Sequence, residues 1–109
     1  MPTIYKVLGQ SAPSATTDTT LYTVPSATQA VVSSIVVANR DSAAATFRIA
    51  VRPDGATLAN QHYLAFDVTV GGSDSTIITI GATLGDTDII TVRASTANLT
   101  FTAFGSEIS

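Results

Sequence analysis

The nine residues Ala44 to Arg52, AATFRIAVR, decide the fold class. Phe47, Ile49 and Val51 recur at every second position while Thr46, Arg48, Ala50 and Arg52 fill the places between, and a two-residue period puts these sets on opposite faces of a β-strand. One face is apolar and the other is left to water. Gln61 to Val70 repeats the pattern, with Leu64, Phe66, Val68 and Val70 expected on one side and Tyr63, Ala65, Asp67 and Thr69 on the other. Thr28 to Asn39 differs, because Val31, Ile35 and Val37 would share one face and Val32, Val36 and Ala38 the other. Two apolar faces mark a central strand, or one whose second face meets a partner.

Working outward, Thr3 to Gly9, Thr20 to Val24, Ser75 to Ile80, Thr87 to Ala94 and Leu99 to Phe104 complete a set of roughly eight strands. Between the runs sit turn signals: Asn39-Arg40-Asp41-Ser42, Arg52-Pro53-Asp54-Gly55, Val70-Gly71-Gly72-Ser73-Asp74, Gly85-Asp86 and Ser95-Thr96-Ala97-Asn98. No window carries a helical i, i+3, i+4, i+7 apolar stripe with caps, so the chain reads as all-β. Turns spaced by about 8 to 12 residues predict a single antiparallel β-sandwich, immunoglobulin-like or jelly-roll-like. The 109 residues make one domain, residues 1–109. Residues 1–20 read as an N-terminal arm or strand plus a hydroxyl-rich connector, SAPSATTDTT, whose strand pairs either at home or on a neighbouring subunit.

Composition narrows the function classes. Charged residues are only 12% of the chain, against about 25% in an average globular domain. Instead 18 Thr, 11 Ser and 16 Ala supply the coat. Lys6, Arg40, Arg48, Arg52 and Arg93 are too few and too scattered to track a phosphate backbone, so nucleic acid is not an expected partner. With no cysteine there are no disulfides, thiolate metal sites or thiol nucleophiles. No apolar run approaches the roughly 18 residues of a membrane span, and Met1 to Gly9 lacks the basic start and apolar core of a signal peptide. No membrane role is expected, and export would need another route, such as cell lysis.

The residue types that carry chemistry have plainer explanations here. His62, the only histidine, falls by alternation on the face of Leu64 and Phe66 with no nucleophile or orienting carboxylate identifiable from spacing, so it reads as a strand-end or core-edge residue. Most of the eight acids, Asp18, Asp41, Asp54, Asp67, Asp74, Asp86, Asp88 and Glu107, lie in or beside turns, where short carboxylates bond the local backbone. Asp86 and Asp88 stand two apart, a spacing that suits Ca²⁺, but the segment lacks the remaining oxygen ligands. Gly71-Gly72 has no lysine and no following helix to complete a phosphate cradle and reads as a hairpin turn. No enzyme chemistry, metal or cofactor is expected.

Scarce charge has a consequence for assembly, since sheet edges need charge, proline or cover to avoid pairing with neighbours. Ile4, Leu8, Phe104 and Ile108 are apolar residues near the two ends, where a monomer would be polar. They are expected to be exposed and to form a partner interface, joined by Arg48 and Arg52, which share a strand face and suit a partner's carboxylates. A homo-oligomer is the expectation.

The segments TIYKVLGQSAPSATTDTTLYTVPSATQAVVSSIVVANR, Thr3 to Arg40, and ITVRASTANLTFTAFGSEIS, Ile90 to Ser109, resemble small all-β structural proteins of the virions of tailed bacteriophages. The likeness lies in strand-and-turn texture such as Leu21-Tyr22-Thr23-Val24-Pro25 and Phe104-Gly105-Ser106-Glu107-Ile108, and it transfers no functional residue. It implies a non-enzymatic virion protein assembled in the host cytoplasm: a capsid decoration or cement protein that binds the major capsid protein across coat-subunit junctions. The alternatives are a tail, baseplate or fibre component and, from another class, a carbohydrate-binding module. The last would ordinarily show aromatic platforms, whereas this chain has no Trp and only Tyr5, Tyr22 and Tyr63.

Overall fold

The structure, a computed structural model, describes residues 2–109. Eight strands follow one another: β1 (Thr3–Ser11), β2 (Thr19–Thr23), β3 (Gln29–Asn39), β4 (Ala45–Arg52), β5 (Tyr63–Val70), β6 (Ser75–Leu84), β7 (Ile89–Ala94) and β8 (Leu99–Ile108). All five turn segments fall between strands, and the only helical pieces among the described residues are short 3₁₀ turns at Pro53–Gly55 and Asn60–His62. β-branched side chains suit a pleated, half-buried surface, and Val, Ile and Thr fill these runs.

The strands form two four-stranded antiparallel sheets, ordered β1-β8-β3-β6 and β2-β7-β4-β5. β1 pairs with β8, β2 with β7, β3 with β6 and β4 with β5, the rungs of one long hairpin whose closed end is the 53–62 connection. That ribbon then wraps so that β8 also pairs with β3 and β7 with β4. This is the jelly-roll arrangement of the sandwich. An immunoglobulin-like sandwich keeps its first two strands side by side, whereas β1 and β2 here lie in different sheets. The N-terminal strand pairs at home, and the connector after it is tied to β7 by the Thr16 N–H donating to the Ala94 carbonyl at 2.7 Å.

Between the sheets lies the core. Val32, Ile35, Val37, Leu99 and Phe101 come from the first sheet and meet Phe47, Ile49, Val70, Ile90 and Val92 of the second. Phe47 and Phe101 pack edge to face with centroids 6.1 Å apart, a favoured aromatic geometry. Phe47 and Ile49 are buried as their alternation predicts, and Val51 packs against the same cluster. Buried Asn39 is fully used: its Nδ2 donates to the Ala43 carbonyl at 2.8 Å and its Oδ1 accepts from the Asp41 N–H at 3.0 Å.

Two expected face assignments fail for one reason, the insertion of an extra residue that resets strand parity. In β3, Ser33 is the extra residue between Val32 and Ser34, so Val32 joins Ile35 and Val37 inside while Val31 turns outward with Val36 and Ala38. In β5, Phe47 opposes Val68 and Ile49 opposes Ala65, which leaves Phe66 and Asp67 together facing Arg48. Leu64 and Phe66 therefore lie exposed, Ala65 packs against the core, and only after the bulge does Val70 return inward. A third bulge on β1, at Leu8, separates the Val7–Phe104 and Gly9–Ala103 pairs. Leu8, expected to be exposed, is a core residue.

Gly9 marks the point where β1 passes closest to the other sheet: a Cβ there would lie 2.1 Å from the Leu21 carbonyl oxygen. Because the obstacle is backbone, Gly9→Ala is expected to cost about 1 to 3 kcal/mol by overpacking. Phe101→Ala, which empties the centre of the core, is expected to cost about 3 to 5 kcal/mol. Urea unfolding of both variants checks these values; an unchanged midpoint for Phe101→Ala would contradict the packing described.

Candidate docking face

The outer face of the first sheet is built from strands with almost no ionic groups. Among the charged residues only Lys6 and Glu107 belong to β1, β3, β6 or β8; Lys6 donates to Glu107, which also accepts from Tyr22 of the second sheet. They therefore lie on the sandwich side of their strands. What faces out is apolar, hydroxyl and carboxamide side chains in rows that the register defines. One row runs Val7, Phe104, Ser34, Thr79 across β1, β8, β3 and β6, and the next runs Gln10, Thr102, Val36, Ile77. Tyr5 is 84% exposed, Ile77 66% and Phe104 39%. From strand spacing and rise this face measures on the order of 600 Å².

The residues expected to form an interface divide. Phe104 and Ile108 lie on this face, whereas Ile4, though 53% exposed, alternates with Tyr5 and points to the opposite side of the β1 edge. Leu8 is inside. Arg48 and Arg52 lie on the other sheet, and each guanidinium already donates to groups of its own chain through two of its nitrogens. Arg48 forks onto Asp67 at 2.7 and 3.3 Å and stacks 4.0 Å over the Phe66 ring, while Arg52 donates to the Thr91 hydroxyl and the Ala56 carbonyl. Arg93 stands directly opposite Arg48 in the β4–β7 register, and Asp18 lies 3.7 Å from it. The Arg48 hydrogen bonds hold the Asp67 carboxyl below the usual carboxylate range. Val36 lies on the second apolar face that alternation gave β3, whereas Tyr5, Val7 and Ile77 are face residues that alternation alone did not single out; the signal available was the absence of charge through Gln29–Asn39, Ser75–Leu84 and Leu99–Phe104.

The remaining candidates are occupied by structural bonds. His62 is buried at the end of its 3₁₀ turn rather than on the β5 face, with Nδ1 accepting the Ala59 N–H at 3.0 Å. Asp88 accepts from the Asp54 and Gly85 N–H groups, each at 2.8 Å, and Asp41 and Asp74 accept from the N–H of the next residue. Turn chemistry thus employs these carboxylates. Among the described residues no three His, Cys, Asp or Glu side chains gather as a metal cage.

A polar group near the chain ends spans the two sheets. The Tyr22 hydroxyl on β2 donates to Glu107 on β8 at 2.5 Å, and Lys6 on β1 donates to the other carboxylate oxygen at 3.1 Å. These bonds, the Tyr22 hydroxyl first, depress the Glu107 carboxyl below its ordinary 4.5. Burial, then Glu107 itself, raises the Tyr22 phenol above its ordinary 10.0. The depressed carboxyl stabilises the fold above pH 4.5 and that contribution is lost as pH falls through its folded value, whereas the raised phenol stabilises below pH 10.0 and loses its effect above it.

Glu107→Gln is expected to lower stability by about 1 kcal/mol at neutral pH, the difference between a charged and a neutral acceptor. It should also remove part of the acid limb of a stability-pH profile while the alkaline limb persists, since burial dominates the tyrosine. Urea midpoints from pH 3 to pH 11 check this, and an unaltered acid limb would contradict it. Compared with known proteins, the chain matches no protein-family model and no curated protein.

Proposed function

We propose that this chain is a non-enzymatic structural subunit of a tailed-bacteriophage virion, a capsid decoration protein whose first-sheet outer face seats on coat subunits and spans their junctions. The observation that carries this reading is the charge-free face itself. Burying an ionic group without a partner is expensive, and a face of Thr, Ser, Val, Ile, Phe and Tyr can be covered by another protein without that cost. Added area across junctions is what resists outward pressure on a shell, and many identical copies multiply a modest single-site affinity. Jelly-roll sandwiches are common in viral capsids and in lectins, which is analogy at the level of fold and supports the reading only to that extent. The resemblance of Thr3 to Arg40 and Ile90 to Ser109 to phage virion proteins points the same way.

A carbohydrate-binding role keeps one specific observation in its favour. Phe66 and Tyr63 meet edge to face at 4.9 Å beside the Arg48–Asp67 pair on the second sheet, an exposed aromatic group that alternation had hidden. The two readings use opposite faces of the sandwich, so substitutions separate them.

Phe104→Asp places a carboxylate on the first-sheet face and is expected to reduce co-sedimentation with phage heads by about tenfold or more while leaving the circular dichroism spectrum unchanged. Phe66→Ala should leave head binding intact. Loss of glycan-array binding in Phe66→Ala, with no head binding by the wild type, would replace decoration with sugar recognition. Copy number in purified particles sorts the virion roles: hundreds of copies indicate the shell, a few dozen or fewer the tail.

A further inference from the structure

The four edge strands of the sandwich are not equally defended. β1 carries Lys6 and the bulge at Leu8, β2 has five residues, and β5 carries Asp67 at its own bulge. These are the ordinary devices that keep an edge from recruiting another strand. β6 has a single irregularity, at Ile80 and Gly81, which together face Ser33, with Gly81 at φ 55°. Before it, Ser75 to Thr79 is uncharged, free of proline and in unbroken register with β3. The far side of that run presents unpaired backbone donors and acceptors.

We infer that β6 pairs with β6 of a second copy of this chain, antiparallel, about a two-fold axis at Ile77. Backbone groups on a free edge are matched in full only by another strand, and antiparallel pairing about a perpendicular two-fold keeps like faces together. Ser75 then stands beside Thr79 of the partner subunit, and the two exposed Ile77 side chains meet on the outer face. Ile77 is the midpoint of the undefended run, so the axis there uses all of it. The pairing joins two first sheets into one of eight strands and sets two charge-free faces side by side. The joined sheet doubles the charge-free area that one flat partner could cover. The strand contact itself is small, so the pair is weak in solution and strong on a surface that binds both halves. This inference does not rest on the virion reading, since it concerns the edge and not what the face binds.

Sedimentation velocity on the full chain, from about 10 μM to 1 mM, should show a reversible dimer with a Kd inside that range, as a small interface gives. Hydrogen exchange of the Ser75 to Thr79 amides should slow with concentration while that of Thr19 to Thr23 does not. Ile77→Lys should weaken the dimer by about tenfold or more by setting two ammonium groups side by side at the axis. Thr79→Lys, on a second exposed position of the same edge, should weaken it likewise, and Phe104→Asp, on the face but remote from the edge, should leave it unchanged. A monomer throughout the range, or a dimer abolished by Phe104→Asp and untouched by the two lysine variants, would overturn the edge pairing. Intact pairing without binding to phage heads would strike the proposed function alone.

Discussion

Each strand here has to deliver its apolar side chains to one slab between two sheets, and the two-residue period of a strand is the only means it has. Side chains on one pleat can reach that slab and those on the next cannot. Phe47, Ile49, Ile90 and Val92 on one side and Ile35, Val37, Leu99 and Phe101 on the other satisfy the requirement directly. Where the sequence breaks step, an extra residue restores it. Ser33 in β3, the Phe66–Asp67 pair in β5 and Leu8 in β1 each return the following residues to the pleat that the core demands. The wrapped hairpin follows from the same demand, because folding a long two-stranded ribbon over on itself brings its apolar side together without leaving either half uncovered.

Charge is distributed as if by subtraction from that core and from one outer face. The carboxylates of Asp41, Asp74 and Asp88 bind turn N–H groups, and Arg48, Asp67 and Arg93 gather on the outside of the second sheet. Only Lys6 and Glu107 lie on first-sheet strands, at the sandwich side and near the chain ends, where Glu107 bonds Tyr22 of the second sheet and ties the sheets together. The first sheet's exterior is thereby left with uncharged side chains: aliphatic, aromatic, hydroxyl and carboxamide. Hydroxyls satisfy water when the face is free and each other or a partner backbone when it is covered, so the same surface tolerates both states.

The strands and turns were legible in the sequence because both have local causes. Alternation in AATFRIAVR needs no knowledge of the rest of the chain, and the Asp, Asn, Gly and Pro turns between strands are set by dihedral preference and side-chain bonds to nearby backbone. Parity was not legible where a bulge intervened. Nothing in YLAFDVTV announces that Asp67 will enter the left-handed region at φ 53°, and so Leu64 and Phe66 could not be told from core residues. Leu8 was misplaced for a related reason, since the depth of a strand end depends on which partner strand covers it. The choice between immunoglobulin-like and jelly-roll order was also out of reach, being fixed by pairings between residues such as Thr3 and Ile108 that stand at opposite ends of the chain. As for the face, its leading signal was compositional, and the rows that make it a surface appear only once the four strands are ranked in order.

The defended and undefended edges complete the physical picture. An edge strand that faces water without charge, proline or length limit exposes a protein to unwanted pairing, and a chain this sparing with charge had the means to protect β6 with a single substitution at Ile77 or Thr79. Both positions are exposed and neither contributes to the core, so a lysine there would have cost the monomer little. Ile77 instead stands exposed at the centre of that edge, and the proposed pairing would cover it. Together with the neighbouring uncharged face, it gathers uncharged exposed side chains on one sheet, whereas the outer face of the other carries Arg48, Asp67 and Arg93.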